Sequence, residues 1–390
     1  MRSFLAGGLA LGLCALAAMP AAAFSIETDS RVVPEMGGPS GTTLNRLRLT
    51  GPFEKGDADK LRAVLEPLRA RGGRGPDGSL AVVELSSGGG DILEGMKVGY
   101  LFREFDIVTV VRRGDRCLSA CAVAFLGGTA RHSALEAIPG RRIEIGGQVG
   151  FHNVFLNYQG LKNAEGTSPE AAARQGFDLA LSAASTLVRY ATDMGVAPGF
   201  VARLLGSPTE HFDYIDSIDA FAALGVCPTE AFMPMISRER QAANLCNNAL
   251  GWGKADPTRV APLTLREARL ALLGQVQATI ASFGVSDRLA AQLDAALESK
   301  DDGLLTQIYD SLRRAGVRLP ELYGGMSEVS GYNAGPYKVA CEVSLSMSEP
   351  DRYDLVIVGP LGISPAPRRA PRDCRWLFRF GPHDVINPPP

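Results

Sequence analysis

The chain has 390 residues, of which 46% are hydrophobic and 21% charged, and its 40 basic and 42 acidic side chains give a formal net charge of −2. This length allows a substantial buried core, in two domains or in one domain with an extension. The near balance of charge excludes the electrostatic signature of a protein that binds nucleic acid or an anionic membrane surface.

The N-terminal residues have the pattern of a secretory signal peptide. Met1 and Arg2 form a short positive start, residues 4–18 are apolar, and three alanines at 21–23 supply a cleavage site. The pattern predicts a signal peptide over residues 1–23, with an uncleaved membrane anchor as the alternative. No later run is long enough to span a bilayer, so the mature chain is expected in the periplasm or outside the cell.

Six cysteines follow the predicted signal peptide: Cys117, Cys121, Cys227, Cys246, Cys341 and Cys374. An even number in an oxidising compartment favours three disulfides. Closeness in sequence favours the pairs Cys227–Cys246 and Cys341–Cys374. A zinc site is the alternative, but no Cys-x-x-Cys pair or histidine partner supports it, so no metal or organic cofactor is expected.

The first elements follow the predicted signal peptide. Residues 24–41 show no apolar periodicity and are expected to form an arm with little structure. Apolar and polar residues alternate over 46–49, which predicts a half-buried strand. Leucines then recur at helical spacing after Asp57, which is the predicted N-cap. The glycine-bounded residues 80–85 predict a buried strand.

The stretch 81–128 predicts a β-α-β-α unit. Its first strand ends in the glycine turn 88–90, and Asp91 is expected to cap the helix that follows. The β-branched run 107–111 predicts a strand covered on both faces. Ser119 then begins a second, apolar helix. A unit of this kind can hold backbone N–H groups and a nucleophile at one edge of the sheet.

Glycines and polar residues interrupt the pattern beyond residue 126, and the elements there are shorter apart from one long helix. The expected elements are a turn at 131–132, a loop at 141–147, a strand at 149–152, a helix at 171–194, and a loop that leads into a short helix at 212–225.

Composition changes again after Cys246. Residues 251–262 have the composition of a linker, and the linker as a whole is placed at 236–262. Thr264 and Glu267 form a capping-box signature at the start of a helix. The further expected elements are helices at 264–281, 286–298 and 303–315, a loop at 327–335, strands at 337–347, 354–358 and 375–380, and a tail at 387–390.

Three features carry possible chemistry. Ser119 lies at the start of a helix, where its hydroxyl meets the free N–H groups of the first turn; an N-cap serine is the alternative. The glycines at 88–90 allow a ligand to approach the backbone closely, although such triplets also mark tight turns. His152, one of four histidines, ends a short strand and is either a general base or a structural residue.

The order of these features resembles the Clp protease proteolytic subunit family, which belongs to the larger ClpP/crotonase fold. The shared pattern is a serine- and glycine-rich turn at 85–90, a serine followed by Ala120 before an apolar helix, and a strand that ends in His152. The signal peptide and the Cys-x-Ser-x-Cys motif at 117–121 resemble the secreted ClpP-like proteins of bacteria. The resemblance covers about residues 46–226, roughly half of the chain.

The resemblance implies a serine hydrolase that works through an acyl-enzyme. Its residues carry over one by one onto this sequence. They are Ser119 as the nucleophile, His152 as the general base, the N–H groups of Ala120 and of Gly90 or Gly89 as the oxyanion hole, and Asp213 as the third triad member, with Asp216 as the second choice.

The sequence thus predicts an α/β protein with a ClpP/crotonase-like, ββα-type core domain over 44–235, the linker, and a smaller C-terminal segment over 263–385 that is first helical and then β-rich. The expected function is that of an exported serine hydrolase, a peptidase acting on peptide or protein, in the homo-oligomer that this fold usually forms. The alternative is a catalytically silent ClpP-like binding or scaffold protein. An acyl-CoA enzyme is disfavoured because coenzyme A is not expected outside the cytoplasm.

Overall fold

The structure, a computed structural model, is a mixed α/β protein with several sheets. The residues it describes are 24–33, 42–75, 77–133, 136–152, 169–208, 211–251, 259–264, 266–268, 291–292, 295–296, 298–316, 325–334, 336–359 and 368–389. The predicted signal peptide, and most of the helices expected over 264–281 and 286–298, lie outside these ranges. Within them, no helix is both long enough and apolar enough to cross a membrane.

The largest sheet has six strands. In spatial order they are β1 (Ser25–Val33), β2 (Thr42–Thr50), β3 (Ala81–Ser86), β4 (Ile107–Val111), β8 (Arg141–Ile143) and β11 (Val226–Pro228). β1 is antiparallel to β2, and every other neighbouring pair is parallel. Parallel neighbours need crossover connections, so helices lie between successive strands. Every residue of β4 is buried, as the β-branched run predicts.

The predicted helices on either side of β3 are present. α1 (Asp57–Arg71) buries a stripe of leucines in the core. Its N-cap is Gly56 rather than the predicted Asp57, whose buried carboxylate instead accepts a backbone N–H from the preceding turn. α2 (Ile92–Glu104) has the predicted cap, because the Asp91 carboxylate accepts an N–H of the first helical turn at 3.0 Å.

Three segments that were expected to be irregular contain strands. Residues 24–41 include β1, which pairs with β2 over its whole length. The turn expected at 131–132 lies in β6 (Thr129–Ser133), which pairs with β7 (Glu136–Pro139). The loop expected at 141–147 begins with β8. Polar strands are not predicted by local hydrophobic patterns, because their stability comes from pairing and packing in the folded protein.

Arg141 explains how a polar segment can lie inside the main sheet. Its side chain is 2% exposed, and its guanidinium donates hydrogen bonds to the carbonyls of Met194 and Leu224. These carbonyls directly follow α4 (Pro169–Asp193) and α6 (Ile218–Ala223), both of which match predicted helices. Positive charge is favourable at helix C-termini, although burial lowers the pKa of Arg141 to about 10.

A smaller sheet carries the residues that the sequence analysis singled out. Its strands, in spatial order, are β10 (Asp213–Tyr214), β9 (Gln148–Phe151) and β5 (Arg116–Leu118). β9 is parallel to β5 and antiparallel to β10. Ser119 joins β5 to α3 (Ala120–Phe125), a helix that is buried along its whole length. His152 directly follows β9, as the strand expected at 149–152 predicts.

The C-terminal region, residues 259–389, is built on a four-stranded antiparallel sheet. Its strands, in spatial order, are β12 (Arg259–Leu263), β13 (Met326–Ala334), β14 (Tyr337–Leu345) and β15 (Tyr353–Val358). β13 replaces the loop expected at 327–335, since its polar residues pair with strands on both sides. β14, β15 and the helix α8 (Asp302–Arg314) match predicted elements.

Two further expectations fail around α7 (Arg238–Leu250), a largely buried helix inside the expected linker 236–262. The strand expected at 375–380 is instead part of a 3-10 helix, Arg372–Arg379. The side chains of Asn244 and Asn248 on α7 donate to carbonyls in this segment at 2.9–3.0 Å. Asparagine side chains therefore provide the hydrogen bonds to these backbone carbonyls that a neighbouring strand would have provided if the segment were a strand. α5 (Pro198–Gly206) completes the helices near the smaller sheet.

The predicted number of disulfides is confirmed, but the predicted pairs Cys227–Cys246 and Cys341–Cys374 are wrong. The bonds are Cys117–Cys121, Cys227–Cys374 and Cys246–Cys341. Pairing follows the packing of β11 and α7 against the C-terminal region rather than distance along the chain. One hydrophobic cluster accordingly contains buried side chains of both the main sheet and the C-terminal region, such as Leu47 and Trp376.

Candidate active site

The serine turn, residues 116–121, holds Ser119 in an unusual backbone conformation. Its φ of 55° and ψ of −121° cost a non-glycine residue about 1–3 kcal/mol. The Ser119 N–H donates to the carbonyl of Gly150 at 2.9 Å, and the Leu118 N–H donates to that of Ser87 at 3.0 Å. A strained strand-to-helix turn exposes the hydroxyl of the nucleophilic serine in α/β-hydrolases.

His152 lies beside Ser119 although 33 residues separate them. The parallel pairing of β5 with β9 sets Leu118 opposite Gly150, so the residues just beyond both strands meet at one edge. The distance between Ser119 Oγ and His152 Nε2 is 2.7 Å. With the ring proton on Nδ1, the hydroxyl donates to Nε2, which is the geometry that a general base requires.

Aromatic packing orients the His152 ring. The ring of Phe212 lies edge-on to it, with centroids 4.9 Å apart, and Phe212 stacks in turn on Tyr214 at 5.9 Å. Phe212, directly before β10, thus supplies one wall of the histidine site. Sequence analysis did not find Phe212, because its contact with His152 depends on the pairing of β9 with β10.

Asp213 lies on β10 directly opposite Phe151, the residue before His152. Its carboxylate accepts a hydrogen bond from the Ser207 hydroxyl at 3.1 Å and lies 3.9 Å from Nε2 of His211. The carbonyl of Asp216 accepts two N–H groups from residues 386–387. The third triad member therefore stays a prediction.

The glycine turn approaches Ser119 closely. Gly89 has a φ of 111°, and a Cβ at this position would lie 2.7 Å from the Cβ of Ser119 and 2.9 Å from the carbonyl of Leu118. Gly90 has a φ of 138°, and a Cβ there would overlap the backbone of Phe53. Only glycine tolerates both the backbone conformation and the lack of space, so the turn is shaped to bring its backbone against the serine.

The backbone N–H groups of the glycine turn differ in their bonding. The Gly89 N–H donates to Ser87 Oγ at 3.1 Å. The carbonyl of Gly89 and the N–H of Asp91 both bond to Phe53; the intervening Gly90 N–H therefore points to the opposite side, and it meets no acceptor among the described residues. The Ala120 N–H is the first of α3 and has no partner within its helix.

A cavity of about 600 Å³ opens beside the two side chains. Its walls are largely apolar, and Asp91 is the one carboxylate among its described lining residues. The residues that line it are Gly90, Asp91, Ile92, Leu93, Ser119, Val123, Phe151, His152, Leu187 and Leu204. The hydroxyl, the imidazole and the backbone of Gly90 thus face one space whose volume lies in the range of ligand-binding pockets.

The end of the chain braces the strand that precedes His152. The prediction of a tail at 387–390 is wrong at Asn387, because the side chain of this residue is buried and only 1% exposed. Its side chain accepts the N–H of Gly146 at 2.8 Å and donates to the carbonyls of Gly147 and Ile215 at 2.9 and 3.2 Å. Gln148, the first residue of β9, donates to the carbonyl of Pro388. No local signal marks such a contact across 240 residues.

Within the described ranges, no group of three or more His, Cys, Asp or Glu side chains is arranged to hold a metal ion. Comparison with known proteins adds no assignment of family. The chain matches no protein-family model and no curated protein sequence. The geometry of Ser119, His152 and the glycine turn is therefore the basis for assigning a function.

Proposed function

We propose that this protein is an exported serine hydrolase with a ClpP/crotonase-type core, and that it acts as a peptidase. The observation that carries the proposal is the 2.7 Å contact between Ser119 Oγ and His152 Nε2 at the edge of the cavity. The strained conformation of Ser119 supports it, because such strain is characteristic of functional positions.

The reaction begins when Ser119 Oγ attacks a substrate carbonyl carbon. The new O–C bond forms as the hydroxyl proton passes to His152 Nε2, and the carbonyl electrons move onto its oxygen. When the tetrahedral intermediate collapses, the bond to the amine breaks and His152 returns the proton to the leaving nitrogen. Water, deprotonated by the same imidazole, then hydrolyses the acyl-enzyme and frees Ser119.

The N–H groups of Gly90 and Ala120 form the oxyanion hole in this mechanism. Both belong to segments that meet at Ser119, and neither has a partner among the described residues that would compete for an oxyanion. Gly89 takes a different part. Its N–H is engaged by Ser87, and its missing side chain lets Gly90 reach the site.

Asp213 remains the first choice for the third triad member, with Asp216 as the second. An aspartate that orients the imidazole should matter for catalysis, whereas one that only joins β10 to Ser207 should not. We expect Asp213→Asn to lower the rate of serine labelling at least 100-fold, with Asp216→Asn as the matched comparison. An unchanged rate in Asp213→Asn would remove Asp213 from the mechanism.

The proposed location is the periplasm or the cell exterior, with residues 1–23 removed as a signal peptide. The three disulfides support this location, since they persist in oxidising compartments. The proposed substrate is a peptide or protein, because the cavity is open, largely apolar and adjacent to backbone donors. The homo-oligomer that the fold usually forms is tested by light scattering of the purified protein.

A fluorophosphonate probe tests the proposal directly, because it phosphonylates only an activated serine. We expect stoichiometric labelling of the wild type, mapped by mass spectrometry to Ser119, and none of Ser119→Ala. His152→Ala should label about 10²–10⁴-fold more slowly, whereas His383→Ala, at an exposed histidine, should match the wild type. Folded wild-type protein that resists the probe would contradict the proposed hydrolase and favour a binding protein.

A further inference from the structure

A disulfide spans the candidate nucleophile. Cys117 and Cys121 lie two residues on either side of Ser119, and their Cα atoms are 5.0 Å apart. The bond joins the middle residue of β5 to the first turn of α3. Both side chains have no exposed surface. The backbone of residues 117–121 is therefore closed into a ring that contains Ser119.

The size of this ring separates it from the other two disulfides. The entropy that a cross-link removes from the unfolded chain grows with the logarithm of the loop it closes. Cys117–Cys121 closes four residues, whereas the other bonds close 95 and 147. The short cross-link therefore contributes least to overall stability, and its main effect falls on the local backbone.

The local backbone needs such support at Ser119. A non-glycine residue at φ 55° keeps that conformation only where its surroundings over-determine it. Two hydrogen bonds hold the residue, from its N–H to Gly150 and from the Val123 N–H to its carbonyl at 3.1 Å. Both are ordinary backbone bonds that a relaxed turn can replace, whereas a covalent ring cannot open without breaking the S–S bond.

We infer that Cys117 and Cys121 are positioning residues for the reaction proposed above. Their disulfide holds Ser119 in the backbone conformation that aims Oγ at His152 Nε2. The inference rests on the proposed function for its kinetic consequence but on the backbone alone for its geometry. Because both sulfurs are buried, the bond is a permanent brace in the folded protein and not a thiol-accessible switch.

The test compares Cys117→Ala/Cys121→Ala with Cys246→Ala/Cys341→Ala in fluorophosphonate labelling. We expect kinact of the first variant to fall at least tenfold while KI stays within twofold, because the cavity is intact and only the nucleophile is misplaced. The control should keep kinact within twofold although it loses more stability. Cys117→Val/Cys121→Ala, which refills the buried space, serves if the alanine pair does not fold. A kinact equal to that of the wild type in the variant that lacks the Cys117–Cys121 bond would overturn the inference.

Crystal structures of the same variants give a readout that does not depend on activity. Without the bond, Ser119 should adopt a negative φ and its Oγ should lie more than 3.5 Å from His152 Nε2. An unchanged φ and an intact contact would overturn the inference even if the wild type resists the probe. If the wild type is not labelled but Ser119 is displaced in the variant structure, the result would support the positioning role of the disulfide and contradict the proposed hydrolase.

Discussion

The serine turn is cross-linked over four residues, whereas the C-terminal region is joined to the rest of the chain across 95 and 147 residues. Loop-closure entropy gives about 2 kcal/mol of stabilisation for the short ring and about 5 kcal/mol for each long one. Disulfides therefore have two different effects in this molecule, depending on the length of the loop that they close. The short bond constrains the backbone conformation near Ser119, whereas the two long bonds hold the C-terminal sheet against the common core.

The two regions also meet, because the C-terminal region reaches the site through residues 386–388. Asn387 bonds to the loop before β9 and to the end of β10, the strands that place His152 and Phe212. The serine side of the site is thus shaped locally, and the histidine side is shaped by contacts from the far end of the chain. Variants in each region should separate these effects.

The largest loss of stability is expected for Cys227→Ala/Cys374→Ala. Opening a 147-residue loop should lower the free energy of unfolding by about 4–5 kcal/mol, measured by urea denaturation without reductant. At temperatures where the variant is folded, its rate of fluorophosphonate labelling should stay within twofold of the wild type. A loss below about 1 kcal/mol, or a parallel loss of labelling, would contradict the division between the two regions.

Gly89→Ala should damage the serine turn next most strongly. The new Cβ meets Ser119 and the Leu118 carbonyl at a backbone φ of 111°, and overpacking with backbone strain costs about 3 kcal/mol. Labelling should fall at least 100-fold, because the displaced group is the nucleophile. Gly88→Ala is the matched control, since its Cβ would have no neighbour within 4 Å, and it should change neither stability nor labelling.

Asn387→Ala tests the link between the regions. It leaves the Gly146 N–H and the carbonyls of Gly147 and Ile215 without their partner, which should cost about 2–3 kcal/mol in thermal or urea unfolding. Labelling should slow roughly threefold to tenfold because β9 and β10 lose the hydrogen bonds from Asn387. This range corresponds to an increase of about 1 kcal/mol in the activation free energy of labelling. Asn333→Ala, at an exposed position of β13, is the control. Equal behaviour of the two variants would show that the chain end does not support the site.

Glu342→Gln should have the smallest effect, confined to the C-terminal sheet. Glu342 is 6% exposed and lies opposite Glu328 on β13, and burial, with a smaller effect of Glu328, raises the pKa of Glu342 to about 7. The folded state therefore binds this proton more tightly than the unfolded state. Its stabilisation is present below about pH 4.5 and is lost as the pH rises to about 7.

The substitution should therefore raise the free energy of unfolding by about 2 kcal/mol at pH 8 and by almost nothing at pH 4, as measured by urea denaturation at both values. A gain of equal size at both pH values would mean that packing, and not charge, determines the cost of Glu342.

Local patterns were sufficient where the physical cause is local. The Asp91 cap and the buried run of β4 depend on neighbours within a few residues, so periodicity and capping chemistry predicted them. The polar strands β1, β8 and β13 were not predictable in this way. They are stabilised by partners elsewhere in the chain, and in β8 by a buried arginine that caps two helices.

For the site, the residue types and the order of Ser119, the glycine turn and His152 were determined by the sequence alone, because a strand followed by a serine and a helix is a local pattern. Only the tertiary structure decided that Oγ and Nε2 lie 2.7 Å apart, which cysteines pair, that Phe212 packs on the imidazole and that Asn387 braces β9. These contacts join residues 4 to 241 positions apart. Their formation depends on how strands order themselves in sheets, which no stretch of sequence encodes by itself.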